Sequence, residues 1–389
     1  MSRLVWFGLV LTALAIWLGY NENKLRTEHA KGDSCKKLKL GEENPLFEAD
    51  LKATMPSLLK TLSQFMDVRA EGKLDDPDPR GKFKRVQHPV AWGCAPATVE
   101  ITLPPNETDR QGLFSKAATY EAMIRFSKNS FDPDNAPKVA SVALKIFGVS
   151  GPRVDFQDID AKVREVNKNT QDLIFISNPT LPLVVVPDEL DTLHKYLIWG
   201  KLPAVLIYQL LFRPTLIPRE IKMLVGGMSI SNPLDAKLYT VQPSKLGEQQ
   251  AIRLGLFPCK DDPVNARDGP RPGKEYVHDT IQAFLDNNDG CMKLMIQKQT
   301  DPCTDQVDDI LHEWSGQWSH VGYVKLKKGT KLDTGDSCEN LSFNPFHALE
   351  ANRPLGWIAR LRREVYAVTS ARRLEKNREL AEKSSATRN

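Results

Sequence analysis

The sequence predicts an α+β fold, and three observations lead there. Short apolar segments rich in β-branched and aromatic residues recur between turn residues, which marks strands. Two stretches without glycine, residues 50–65 and 360–373, carry apolar side chains at helical spacing. Neither a dinucleotide-type nor a P-loop glycine signature accompanies the strands, and no internal repeat is present.

The N-terminus comes first. Residues 4–20 form an almost unbroken apolar run with Trp6, Trp17 and Tyr20 near its ends. That length is long for a signal-peptide core and short for a membrane span, and no small-x-small cleavage site follows. The expectation is a membrane-anchor helix within residues 1–22, with a signal segment as the alternative. Lys24, Arg26, Lys31, Lys36, Lys37 and Lys39 follow it, which by the positive-inside tendency favours a cytoplasmic domain. The cysteines favour the other side, so the membrane side stays open. Residues 23–45 read as a polar linker, 46–373 as the main domain and 374–389 as a charged tail, either an exposed helix end or disordered.

Within the main domain, Leu51, Met55, Leu58, Leu59, Leu62 and Phe65 give residues 50–65 one apolar side. Residues 75–80 form a Pro- and Asp-rich loop. Strands are expected at 97–103, 122–126, 139–147 and 172–176. Residues 181–225 are unusually apolar, and prolines at 182, 187, 203, 214 and 218 cut them into pieces too short to span a bilayer. They read as buried core, or alternatively as a membrane-surface or apolar-substrate lip. Residues 235–258 read as a two-stranded hairpin and 267–274 as a Gly/Pro loop. Residues 280–285 and the segment after Asp305 read as helical, and 323–326 as a strand.

The chain has 389 residues, 41% of them hydrophobic, enough for one large domain or two ordinary ones. Its net charge of +4 comes from nearly balanced acids and bases, and no basic block is interleaved with aromatics, which excludes a nucleic-acid partner. The six cysteines form neither CxxC nor a zinc spacing; their even number permits disulfides.

The C-terminal helix carries the chemistry. Ile358, Leu361, Val365 and Val368 form its apolar stripe, while Arg362, Tyr366 and Arg373 share a second face. A guanidinium one turn before a phenol favours the ionised phenol. A phenolate is a hard ligand for ferric iron, and tyrosine is a known axial ligand of haem. The plain alternative is an amphipathic helix with a basic solvent face.

Further motifs stand in order along the chain: Arg85-Val-Gln-His88, Arg125-Phe-Ser127, Asn167-Lys-Asn169 leading to Asn178-Pro179, and Glu339-Asn-Leu-Ser-Phe-Asn-Pro345. With Arg362-x-x-x-Tyr366-x6-Arg373, this combination resembles the haem-dependent catalase family, and within it the compact members that lack a flavodoxin-like C-terminal domain. The resemblance runs from about residue 84 to 373. It implies an antiparallel β-barrel with a helical periphery, one haem b with its iron, and oxidoreductase chemistry on hydrogen peroxide or an organic hydroperoxide. Isomerisation or dehydration of a lipid hydroperoxide, as in allene oxide synthases, is an alternative outcome, and a non-catalytic haem-binding protein is another. A homo-oligomer is compatible with it.

The resemblance also implies roles. His88 would move the peroxide proton, a task suited to imidazole. Asn169 would hydrogen-bond the peroxide, with Asn167 as competitor, and Ser127 would orient His88. Tyr366 would ligate the iron beside Arg362. Arg85, Arg125 and Arg373 would pair with the haem propionates. Two positions depart from the pattern: Gln87 precedes the histidine where catalases carry a small apolar residue, and the stacking aromatic is replaced in Leu181-Pro-Leu183.

Overall fold

The computed structural model describes residue 12 and residues 16–21, 32–71, 83–182, 186–259 and 275–386. Nine strands pair antiparallel among these residues: β1 (Val90–Ile101), β2 (Ala118–Lys128), β3 (Ala140–Phe147), β4 (Thr170–Ile176), β5 (Leu238–Tyr239), β6 (Ser244–Lys245), β7 (Ala251–Pro258), β8 (Gly290–Lys298) and β9 (Trp318–Leu326). Pairing runs β5-β4-β3-β2-β1-β9-β8-β7, and β5 also pairs with β7, which closes an eight-stranded barrel; β6 pairs with β7 beside the seam.

Strand alternation gives the barrel two chemically different faces. Phe126, Val142, Leu144, Leu173 and Phe175 fill the interior together with Leu254, Leu294 and Val321. The alternate residues Arg125, Ser127, Ser141, Ala143, Asp172 and Ile174 stand on the outside of the wall. That outer face is nevertheless covered. Helices α1 (Leu46–Ala70), α3 (Pro187–Phe212) and α7 (Trp357–Ala386) pack into a second core with Leu58, Leu62, Leu193, Ile358 and Leu361, which also takes in Val139 and Ile176 from the wall. The short α2 (Ala161–Val166) precedes β4, α4 (Ile217–Met228) follows α3, α5 (Tyr276–Asn287) precedes β8, and α6 (Asp336–Asn340) precedes the C-terminal tract. Disulfides join Cys35 to Cys303, Cys94 to Cys338 and Cys259 to Cys291, leaving no free cysteine.

Several expectations change. The membrane anchor is not borne out: among the described residues no helix is long and apolar enough to cross a membrane. Of the expected span, residues 16–21 form a helix of about 9 Å at 1.5 Å per residue, against a hydrocarbon core of about 30 Å, while residues 4–11 and 13–15 lie outside the described residues. The loops expected at 75–80 and 267–274 also lie outside them. The segment after Asp305 is turns, not helix. Asp305 accepts from the Thr300 and Ser315 amides and Asp309 from the Leu311 amide, and such side-chain acceptors compete with helical bonding. Residues 186–228 are mostly helical, and their outer face is not core: Trp199 is 82% exposed, and Ile207, Leu210 and Ile221 are exposed with it. The charged tail continues α7 as helix to Ala386.

Candidate functional site

Between the outer face of the β2–β4 wall and the covering helices lies a cavity of about 230 Å³. Its lining brings together Arg85, His88, Arg125, Ser127, Arg362, Tyr366 and Arg373, seven of the eight residues singled out by the sequence. On α7 the positions 362, 366, 369, 370 and 373 make one helical stripe along it, flanked by the apolar Ile358, Leu361 and Val365.

Tyr366 and Arg362 form a unit. Arg362 Nη2 and Nε donate to the Tyr366 hydroxyl at 2.9 and 3.2 Å, and Arg362 Nη1 donates to the side-chain oxygen of buried Gln242. Three bonds fix this guanidinium, and its third partner is neutral, so its positive charge stays available to the phenol.

His88 stands just before β1. Its φ of 52° makes it the one non-glycine residue with positive φ among the described residues. Such backbone strain persists where the surroundings hold it and is characteristic of functional positions. The holding contact is visible: Arg125 Nη2 donates to the His88 carbonyl at 3.1 Å. A register shift between Ala91 and Gly93 follows in β1 and further redirects the entry of the strand. Gly93 sits at φ 147°, where an added Cβ would lie 2.8 Å from Leu332 Cβ. Burial, then the charges of Arg125 and Arg362, push the His88 imidazole down to about 3, so it is neutral near pH 7. Its Nδ1 has no partner, and neither has the Ser127 hydroxyl or Arg125 Nε, although all three are sealed from solvent. Unsatisfied buried polar atoms call for an explanation, and these three belong to residues that line one cavity.

The guanidiniums of Arg85, Arg125 and Arg373 gather at one end. Arg85 Nη1 bonds the Glu339 carboxylate at 2.9 Å, and Arg125 Nη2 lies 3.9 Å from it. The Glu339 carbonyl accepts from Arg85 Nη2 at 3.0 Å and from Arg373 Nη1 at 2.6 Å, and the Leu341 carbonyl accepts from Arg85 at 2.7 Å. Burial and the Arg85 charge lower Arg373 to about 9. The surrounding arginines hold the Glu339 carboxyl below its ordinary value against the effect of burial.

Asn169 is not brought to the cavity. It is exposed at the start of β4, with its carbonyl accepting from the Val149 amide at 3.0 Å. Asn167 is buried elsewhere, accepting from Lys145 Nζ at 2.6 Å and donating to Asp158 at 3.2 Å. The reason is charge: Lys145, Asp172, His347 and Asp158 form a buried chain of ion pairs outside β3 and β4, and Asn167 completes it. Gln87 lines the cavity from an exposed position at its rim.

Three residues near the site carried little sequence signal. Glu339 opens the Glu339–Pro345 motif, and the resemblance to catalases implies no role for it. Gln242 stands in a turn between β5 and β6. His194, buried on α3 and lining the cavity, sits in an apolar tract where a lone histidine reads as packing. Among the described residues no three His, Cys, Asp or Glu side chains are grouped to hold a metal ion.

Comparison with solved structures places the fold. The chain is similar to catalase A from Saccharomyces cerevisiae, with a TM-score of 0.57 at 14% identity over 75% of this chain and 61% of that one. It is similar to a fungal catalase, with a TM-score of 0.55 at 15% identity over 83% and 62%. A bacterial catalase gives a TM-score of 0.57 at 14% identity over 74% and 57%. The fold resembles that of catalases, and the match spans about three-fifths of their length. No protein-family model and no curated protein matches the chain.

Proposed function

We propose that the cavity holds haem b and that the protein reacts with peroxides, either hydrogen peroxide or an organic hydroperoxide. One observation carries this reading. The Arg362-gripped phenol of Tyr366, the strained neutral His88 and the guanidiniums of Arg85, Arg125 and Arg373 line a single cavity. The donor set fits the cofactor. Tyr366 would ligate the iron, a role tyrosine takes in catalase. Three guanidiniums against the single Glu339 carboxylate leave an excess of two positive charges, which suits a ligand with two propionates. The walls between are apolar, from Ala143, Ile174, Ile176 and Val241 on the barrel to Leu361 and Val365 on α7.

When bound, haem supplies a ferric centre that can take a peroxide oxygen and cleave the O–O bond. The protein moves the proton. Neutral His88 accepts it from the incoming peroxide and returns it to the departing oxygen. His88 Nδ1 and the Ser127 hydroxyl both have unused bonding capacity, and a bond between them would fix the ring. Arg362 holds the Tyr366 hydroxyl in place through two donors.

A second reading has its own support. No asparagine lines the cavity among the described residues, and Gln87 stands at its rim. The amide that would hold hydrogen peroxide is therefore displaced, which favours a bulkier hydroperoxide, rearranged or dehydrated rather than disproportionated. The test is a spectrum of purified protein with ferric haem, followed by titration with hydrogen peroxide and with an organic hydroperoxide. Oxygen evolution supports disproportionation, and a rearranged product without reducing substrate supports the second reading. Haem binding without either reaction identifies a haem carrier. Failure to bind haem overturns the proposal.

A further inference from the structure

α1, α3 and the segment leading into α3 also line the cavity. Leu62, Leu181 and Leu190 line it, and one polar ring stands among them, His194. His194 is 5% exposed. Its Nδ1 lies 2.7 Å from the Leu190 carbonyl one turn earlier in α3. A carbonyl only accepts, so Nδ1 carries the proton and Nε2 is left as a bare acceptor. No described residue gives Nε2 a hydrogen bond. Phe65 meets the ring edge-on, with centroids 5.3 Å apart, and adds no polar group. Burial, with the nearby Arg69 charge, holds this imidazole below its ordinary value, so it remains a neutral acceptor.

A ring needed only for packing could be leucine or phenylalanine at this position. The ring is 5% exposed and lines the cavity, so an acceptor there without a protein partner is left to whatever enters the cavity. The surroundings define what that is. It must be largely apolar, because the neighbouring side chains are leucines, and it must bring one donor.

We propose that the α1–α3 side of the cavity is a subsite for an organic ligand, whose apolar body lies against Leu62, Leu181 and Leu190 and whose hydroxyl or hydroperoxyl donor is received by His194. This deepens the peroxide reading of the same cavity by assigning it an organic substrate with an apolar body. His194 is a binding and positioning residue here, distinct from the proton-moving role of His88.

The test uses the full chain and a matched pair of unreactive probes, 1-hexanol and hexyl methyl ether, titrated calorimetrically. The pair has similar apolar bodies, and only the alcohol has a donor. The unaltered protein is expected to bind 1-hexanol about five- to tenfold more tightly than the ether. His194→Leu should abolish that preference while keeping ether binding, and His194→Gln, which retains an acceptor, should keep part of it. Equal affinity for the two probes, or no binding of either, overturns the inference without any variant. A preference that survives in His194→Leu also overturns it. Haem content is measured in the same samples, so a protein that takes up haem but lacks the alcohol preference refutes this subsite alone. One that shows the preference yet never binds haem refutes the cofactor reading alone.

Discussion

The Tyr366 hydroxyl receives two hydrogen bonds from a single guanidinium, that of Arg362, at 2.9 and 3.2 Å. This grip on its oxygen motivates the proposal that Tyr366 would ligate the iron. Tyr366→Phe removes the ligand atom, and haem retention after gel filtration should be lost. Arg362→Leu keeps the oxygen but removes its stabiliser, so haem should bind more weakly and with an altered ferric spectrum. An unchanged spectrum in Tyr366→Phe would show that iron is held elsewhere.

His88→Ala should leave haem uptake intact and slow peroxide consumption by about two to four orders of magnitude, the usual contribution of a positioned acid–base group. Because burial holds His88 at about 3, the rate should not fall as pH drops through the ordinary imidazole range near 6.5. The same depressed value has a stability consequence. Between about 6.5 and about 3 the unfolded chain binds a proton that the folded one refuses, so this group lowers stability as pH falls through that window. A rate profile with its midpoint near 6.5 would assign the proton transfer to another group.

Glu339→Gln should destabilise the haem-free protein by about 3 kcal/mol, since it leaves neighbouring guanidiniums unbalanced in a largely buried place. Haem, bringing two carboxylates, should restore most of the loss. Thermal unfolding with and without haem measures both. A variant as stable as the parent without haem would mean that water already screens the cluster.

The ion-pair chain around His347 predicts a pH effect at the other end of the scale. Asp172 and Asp158 raise the His347 imidazole above its ordinary value despite burial. Its contribution to stability is therefore complete below about 6.5 and is lost as pH rises through the raised folded value. Asp172, lowered chiefly by the Lys145 and His347 charges against burial, contributes in the opposite sense: its part is present above the ordinary carboxyl range and is lost as pH falls. Urea unfolding of the parent and His347→Gln from about pH 6 upward should show the difference between them shrinking. A constant difference would mean that the imidazolium contributes nothing.

Much of this was legible in the chain. Short apolar segments between turn residues indicated strands, the resemblance to catalases implied that they form a barrel, and the spacing of Arg362, Tyr366 and Arg373 placed all three on one side of α7. Asn169 misled because sequence proximity to a strand does not fix which end of it faces solvent. The buried Lys145, Asp172 and His347 come from three separated segments, and their attraction for Asn167 is a tertiary effect with no local trace. Gln242 was equally hidden, since its partner lies 120 positions away. The exposed face of α3 stood only as the alternative to buried core, because nothing in the composition of an apolar run tells which half of a helix will be covered.

The cross-links have a consequence for how the molecule would break. Cys35 is tied to Cys303 and Cys94 to Cys338, and the two spans overlap. A single peptide-bond cleavage anywhere from residue 35 to residue 338 therefore releases no fragment. The severed pieces stay on one covalent body until thiol is added, and the nick becomes visible only on a reducing gel. Tyr366 and the rest of α7 lie beyond the last link, so a cut between Cys338 and α7 would leave that helix with no covalent bond to Arg125 of β2 or to the rest of the barrel.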